Sequence, residues 1–159
     1  MTEISHFRLM AIDLDEQTVV RRTREIEQER EIAIYDLLET NHFRPEASPG
    51  GPYRLVLGIA DSRLVFDVKL ETGEAHGRVM LALGSFRRVI KDYFLVCESY
   101  FTAIRNAPTA QIEALDMGRR GLHNEGSEIL RERLKGKIDI DFDTARRLFT
   151  LICVLHLKG

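Results

Sequence analysis

Residues 118–127, GRRGLHNEGS, bring together side chains that can hold an anion or move a proton. Arginine guanidinium groups bind phosphate and carboxylate oxygens through paired hydrogen bonds, and histidine changes charge near neutral pH. We therefore expect an anion or phosphate site here, with His123 available for proton transfer near neutral pH. The candidate anion-binding residues are Arg119, Arg120, His123, Asn124 and Ser127.

The helix that would carry this segment has an apolar stripe at spacings of three and seven residues, formed by Ile112, Leu115, Leu122 and Ile129. Arg119 falls inside that stripe. Burying its charge without a partner would cost several kcal/mol, and Asp116, three residues earlier, is the predicted partner. Two interpretations remain open: the pair of Asp116 and Arg119 ties helices together, or Arg119 and His123 bind a ligand.

Three glycines in this segment bear on whether the helix is continuous. Each costs about 1 kcal/mol relative to alanine in a helix interior. Gly118 and Gly126 border the apolar stripe, which favours a continuous helix that another helix approaches closely. A broken helix would instead offer the amides near Gly126 and Ser127 to the same anion.

Two further arginine pairs lie in the opening turns of predicted helices, Arg87 with Arg88 and Arg146 with Arg147. We expect solvated surface at both places, because charged residues are rarely fully buried. Arginines near a helix start need an acid or anion close by. The acids expected to serve are Asp139, Asp141 and Asp143.

No familiar metal or cofactor motif is present in the sequence. The alternating aspartates at 139, 141 and 143 lack the glycine and distal glutamate of a calcium loop, and no histidine and cysteine spacing resembles a zinc site. A phosphate loop, a dinucleotide fingerprint and a nucleophile elbow are also missing. We predict no metal and no cofactor.

The spacing of apolar residues along the chain predicts the strands and helices that must position these groups. Alternation predicts strands over 4–14, 53–59, 64–70 and 79–83, with a tight hairpin at Gly73. Spacings of three and four predict helices over 22–40, 85–105, 109–134 and 143–157, with Ser85, Thr109 and Asp143 as N-caps. Residues 41–52 hold three prolines and two adjacent glycines, so we expect a loop with no regular element.

This order of elements predicts an α+β fold in which an antiparallel meander sheet of three to four strands packs against a helical bundle. We expect the aromatic-rich helix over 85–105 to lie on the sheet and the last helix to be buried. A chain of 159 residues fits a single domain over 1–159.

Composition limits the classes of partner. With 23 basic and 25 acidic side chains the net charge is −2, so no global positive field attracts nucleic acid or an anionic membrane. The longest apolar run has ten residues, too few to span a bilayer, and the first residues lack a secretory signal. Cys97 and Cys153 are isolated, which indicates buried thiols in a reducing compartment. We expect a cytoplasmic protein without a membrane partner; nucleic acid is disfavoured and self-association stays open.

Several stretches resemble the uncharacterised bacterial protein family 0262: PGGPYRL, RLVFDV, FRRVIKDYFLVCESY, DMGRRGLHNEGSEILRERL and DFDTARRLFTLICVLH. The resemblance covers nearly the whole chain. It implies a cytoplasmic bacterial protein of about this size, and it carries no activity, cofactor or catalytic residue.

The predicted function is a small binding or regulatory module whose partner is a protein or a small anionic ligand. Its contact surface is expected around Arg119, His123 and the loop over 45–52. The alternative is a small hydrolase or a ribonuclease similar to the HEPN (higher eukaryote and prokaryote nucleotide-binding) domains, using Arg119 and His123. Three residues separate these two, where the HEPN motif has four to six, and the predicted strands are foreign to that fold. Whether the protein is an enzyme stays open.

Overall fold

A computed structural model of the chain describes residues 6–15 and 24–156. In chain order its elements are β1 (Leu9–Asp15), α1 (Arg24–Glu39), β2 (Phe43–Pro45), β3 (Tyr53–Ala60), β4 (Arg63–Leu70), β5 (Ala75–Ala82), α2 (Gly84–Asn106), α3 (Thr109–Leu134), β6 (Ile138–Ile140) and α4 (Phe142–His156). The predicted α+β class is confirmed.

The main sheet has the strand order β1, β3, β4, β5. Strands β3, β4 and β5 form the predicted antiparallel meander, and their turns need left-handed backbone at Asp61, Ser62 and Gly73. β1 pairs in parallel with β3, so the sheet is mixed rather than wholly antiparallel. Parallel neighbours require a crossover connection, and the segment between β1 and β3 carries α1.

The prediction that no regular element crosses residues 41–52 is wrong. Phe43–Pro45 forms β2, which pairs antiparallel with β6 in a separate two-stranded sheet. Pro45 is tolerated because it ends a three-residue strand, where the ladder does not need its missing N–H. At the chain's start, β1 begins at Leu9 instead of position 4. Positions 4–5, 22–23 and 157 of the predicted elements lie outside the described residues.

The predicted N-caps of the two long helices are also wrong. Leu83 already has helical backbone angles (φ −69°, ψ −23°), so Ser85 lies inside the first turn of α2. Pro108 is the residue that precedes α3, and Thr109 is the first residue of that helix. Neither start has a side-chain cap hydrogen bond.

The cap of α4 is Asp141 instead of Asp143. The backbone N–H of Thr144 donates to Asp141 Oδ1 over 2.9 Å, as an N-cap carboxylate accepts from the third helical residue. Asp143 lies within the first turn, where its negative charge still faces the positive end of the helix dipole.

The last helix is buried, as predicted. Both cysteines are buried free thiols, Cys97 on α2 and Cys153 on α4.

α2 packs mainly on α3, whereas α4 contacts α1, α3 and the interior strand β3. Helix α4 therefore lies against β3, while the position of the aromatic-rich α2 on the sheet stays a prediction.

Helix α3 is continuous through its three interior glycines, as predicted. A Cβ added at Gly126 would overlap the ring of Phe149 on α4, so glycine is what allows the two helices to approach. At Gly118 an added Cβ would lie 3.7 Å from Val96 of α2, which is ordinary van der Waals contact. The close approach of another helix occurs at Gly126.

Replacing Gly126 with alanine should destabilise the protein by about 1–3 kcal/mol, because the buried Phe149 ring has no free space to move into. The matched control is Gly121→Ala on the same helix, where an added methyl meets nothing within 4 Å. Removing that exposed glycine should stabilise the helix by up to about 1 kcal/mol. Urea denaturation measures both changes, and equal effects of the two substitutions would contradict the packing argument.

Candidate functional site

A cleft of about 340 Å³ lies among all four helices. Its lining contains four arginines and two carboxylates. The lining residues are Glu29, Ile32, Ala33, Asp36, Tyr93, Arg119, Arg120, His123, Arg146, Arg147 and Thr150.

Helices α3 and α4 supply the arginines with the same local pattern. Each has two adjacent arginines followed, one turn after the first, by a polar residue: His123 on α3 and Thr150 on α4. Residues four apart share a helix face, so each set can line one wall. His123 Nε2 and Thr150 Oγ1 lie 2.8 Å apart and join the two walls.

The two helices run antiparallel. Arg131 contacts Ile140, just before α4, while Gly126 approaches Phe149 and His123 contacts Thr150. Residue numbers therefore decrease along α3 as they increase along α4. Arg119 precedes His123 by one turn on α3, and Arg146 precedes Thr150 by one turn on α4. His123 is therefore flanked by an arginine on each side.

His123 is neutral in this environment. Its side chain is 8% exposed, between the rings of Tyr93 and Phe149 at centroid distances of 5.4 and 5.2 Å. Burial, followed by the charges of Arg146 and Arg119, lowers its pKa from 6.5 to about 4. The expectation of proton transfer near neutral pH is therefore not met, because desolvation and two positive neighbours disfavour the imidazolium.

The tautomer of His123 follows from Thr150. The Thr150 hydroxyl donates to the Arg146 carbonyl over 3.3 Å, so its oxygen accepts from His123 Nε2–H. This assignment leaves Nδ1 as the ring atom with the lone pair. Nδ1 is buried and has no hydrogen-bond partner among the described residues.

Arg119 is held in place by its own helix and by α2. One of its terminal nitrogens donates to Asp116 Oδ1 over 2.5 Å, and its guanidinium carbon lies 4.6 Å from the centroid of the Tyr100 ring. Arg120 reaches the other oxygen of Asp116 at 2.9 Å. The hydrogen bond from Arg119 is the main cause that lowers the pKa of Asp116, so this carboxylate is charged at neutral pH.

Three of the four arginines keep a buried donor without a partner. The Nε atoms of Arg119, Arg146 and Arg147 are all buried and have no hydrogen-bond partner in the part of the chain that the structure describes. The large majority of buried side-chain polar atoms in proteins are hydrogen-bonded. Together with His123 Nδ1, four such atoms belong to residues that line one cleft.

Two of the predicted anion-binding residues lie outside this cleft. Asn124 is exposed, and Ser127 is fully buried with its hydroxyl donating to the His123 carbonyl over 2.8 Å. Asn124 points away because one residue advances the direction of a side chain by about 100°. Ser127 lies one turn beyond His123 on the same face, at a position that is fully buried. Arg119, Arg120 and His123 do line the cleft, whereas the loop over 45–52 does not.

The prediction of solvated surface is wrong for Arg146 and Arg147, which are half-buried in the cleft wall. It holds for Arg87 and Arg88, which are exposed. Helical spacing shows that Arg146 and Thr150 share a face, but only the packing of α4 on α3 places that face beside His123. The repeated arginine pair, four residues before a hydrogen-bonding side chain, is the signal that sequence reasoning missed.

The three aspartates do not converge. Asp139 pairs with His42 at 3.0 Å, Asp141 caps α4, and the carboxylate of Asp143 lies 3.9 Å from Arg147. Within residues 6–15 and 24–156, no three His, Cys, Asp or Glu side chains are grouped so that they could hold a metal ion. No helix in the same ranges has the length and apolar character to cross a membrane.

The depressed pKa of His123 predicts a pH-dependent stability. Between pH 6.5 and about 4 the unfolded histidine takes up a proton that the folded one does not, so stability is full above pH 6.5 and falls as the pH falls through this window. At about 1.4 kcal/mol per pKa unit, the wild type should lose up to about 3 kcal/mol relative to His123→Gln.

Urea denaturation of both proteins from pH 7 down to pH 4.5 measures this difference. Acidic groups outside the site contribute equally to both proteins and cancel. Parallel pH profiles for wild type and variant would contradict the assignment of a buried, neutral His123.

Comparisons with known proteins give one consistent family. The family model described as an uncharacterised protein family, UPF0262, matches residues 6–158. A UPF0262 protein of Paramagnetospirillum magneticum is 59% identical over 152 residues, which cover 96% of this chain and 97% of the relative. One from Azorhizobium caulinodans is 59% identical (96% and 95% covered), and one from Brucella canis is 54% identical (99% and 98% covered). No solved structure matches the chain.

Proposed function

This chain belongs to the uncharacterised protein family UPF0262, and we propose that it is a small binding module whose helical cleft binds a phosphate group or a similar oxyanion. The proposal rests on one observation: three arginine Nε donors, all buried, are without partners among the described residues at the same cleft. An oxyanion would accept hydrogen bonds from the arginines, and a buried donor left unpaired costs about 1–3 kcal/mol or more.

Phosphate fits these donors better than carboxylate does. The guanidinium groups come from two antiparallel helices on opposite sides of His123. A carboxylate accepts hydrogen bonds mainly in its own plane, whereas the tetrahedral phosphate offers oxygens in several directions. Arginine is suited to both ions, but donors that approach from two sides favour the tetrahedral one.

Two of the four arginines are also pre-organised. Asp116 and the Tyr100 ring hold Arg119, and Arg147 donates to the Asp143 carbonyl over 3.1 Å. Side chains that are already ordered lose little conformational entropy when a ligand arrives. The cleft therefore combines positive charge with fixed geometry, as an anion-binding site requires.

Replacing Arg146 with glutamine should weaken binding of inorganic phosphate at least tenfold, since a hydrogen bond to a charged group contributes about 1.5–3 kcal/mol. Arg133→Gln makes the same charge change on exposed surface of α3 and should leave the affinity unchanged. Isothermal titration calorimetry measures both.

Arg119→Ala distinguishes a binding site from a structural ion pair. If the site binds phosphate, this variant loses the ligand while keeping most of its thermal stability. Absence of phosphate and sulfate binding by the wild type, together with a large drop in melting temperature for Arg119→Ala, would overturn the proposal and leave a purely structural network.

A second candidate is a small phosphoester hydrolase or a HEPN-like ribonuclease that uses Arg119 and His123. The unpartnered Nδ1 lone pair of His123 at the same cleft favours it. A pKa of about 4 makes this histidine a weak base near neutral pH, and for this reason we favour binding. Hydrolysis of p-nitrophenyl phosphate or of RNA that disappears in His123→Gln, with phosphate binding retained, would favour the enzyme instead.

A further inference from the structure

Helix α1 contributes an acidic wall to the cleft. Glu29 and Asp36 lie on α1, seven residues apart, with Ile32 and Ala33 between them on the same lining face. Seven residues correspond to two helical turns, about 10 Å along the axis. The cleft therefore has carboxylates on one wall and guanidinium groups on the other.

These two carboxylates do not neutralise the arginines by direct contact. Within the described residues, Arg119 and Arg120 pair with Asp116, and Arg147 approaches Asp143, so each of these arginines has an acid on its own helix. Neither Glu29 nor Asp36 forms an ion pair with a described arginine of the cleft. The carboxylates of α1 and the guanidinium groups of α3 and α4 line one cleft of about 340 Å³, near the lower limit for small-molecule sites.

Glu29 is in an environment that favours a cation. Its side chain is half-buried, and burial raises its pKa, an effect that the charge of Arg119 only partly offsets. A carboxylate removed from water needs a positive or hydrogen-donating partner. A ligand with only negative charge would instead be repelled by both carboxylates of α1.

We propose that the ligand is zwitterionic, with a phosphate group against the arginines of α3 and α4 and a protonated amine against Glu29 and Asp36 of α1. This inference rests on the proposed phosphate-binding function and narrows it to amino-alkyl phosphates. Such a ligand is attracted both by the arginines and by the carboxylates, whereas a simple phosphate is attracted by the arginines and repelled by the carboxylates.

Calorimetry with three phosphate monoesters of similar size tests the amine. The probes are phosphoethanolamine, ethyl phosphate, which lacks the amine, and 2-hydroxyethyl phosphate, which replaces it by a hydroxyl. Phosphoethanolamine should bind about tenfold more tightly than either analogue. Equal affinity for phosphoethanolamine and ethyl phosphate, or for phosphoethanolamine and the hydroxyl analogue, would overturn the zwitterion.

Variants of α1 identify the residues responsible. Glu29→Gln should abolish the preference for phosphoethanolamine while binding ethyl phosphate at least as tightly as the wild type, because a repulsive charge is gone. Asp36→Asn is the second variant, in case Glu29→Gln fails to fold, and Glu31→Gln at an exposed position of α1 is the matched control. A preference that survives in the double variant of Glu29 and Asp36 would overturn the assignment of the amine to α1.

The binding experiments distinguish an error in the zwitterion from an error in the proposed phosphate-binding function. If the wild type binds ethyl phosphate and inorganic phosphate without discriminating the amine, only the zwitterion is wrong. If it binds none of the phosphates, the proposed function is wrong as well.

The same pairing of a phosphate with an amine occurs in the free monoester and, as a phosphodiester, in the headgroup of phosphatidylethanolamine. Sedimentation with vesicles of phosphatidylethanolamine and phosphatidylcholine, against phosphatidylcholine alone, distinguishes these sources. Co-sedimentation that Glu29→Gln abolishes indicates the lipid headgroup. Tight binding of phosphoethanolamine without co-sedimentation indicates the free ester.

Discussion

The close approach of α3 and α4 is the constraint on which the cleft depends. At Gly126 no side chain fits beside the Phe149 ring, and near it the buried His123 donates to Thr150 across the same interface. Because the two helices are antiparallel and in contact, the arginine pair of each is brought to one site from opposite directions. A bulkier contact would separate His123 from Thr150 and move Arg146 away from Arg119.

The electrostatics of the cleft follow from that packing. Positive charges on both sides and removal from water keep His123 neutral, which limits it to donating or accepting hydrogen bonds at neutral pH. Acids on the same helices pair with Arg119, Arg120 and Arg147 without filling the cleft. A structural ion pair and a binding site are therefore compatible here: Asp116 holds one part of the Arg119 guanidinium and leaves its Nε without a partner.

Helix α1 completes the site from a distant part of the sequence. It packs against α4 and contacts β1, the strand that pairs in parallel with β3. The crossover that joins β1 to β3 thus brings Glu29 and Asp36 to the cleft that the arginines line. The parallel pairing of β1 with β3 therefore matters for the site. It requires a crossover connection, and that connection contains α1 with its two carboxylates.

The sequence by itself determined the local features. Period two predicted the meander of β3, β4 and β5, and helical spacing predicted a continuous α3 with Arg119 beside Asp116, because backbone geometry fixes which neighbours share a face. Only the tertiary structure decided which faces meet. It added Arg146, Thr150 and Glu29 to the cleft and removed Asn124 and Ser127, and it lowered the pKa of His123. These outcomes depend on contacts between segments far apart in the chain, and on the water those contacts exclude, neither of which a local pattern records.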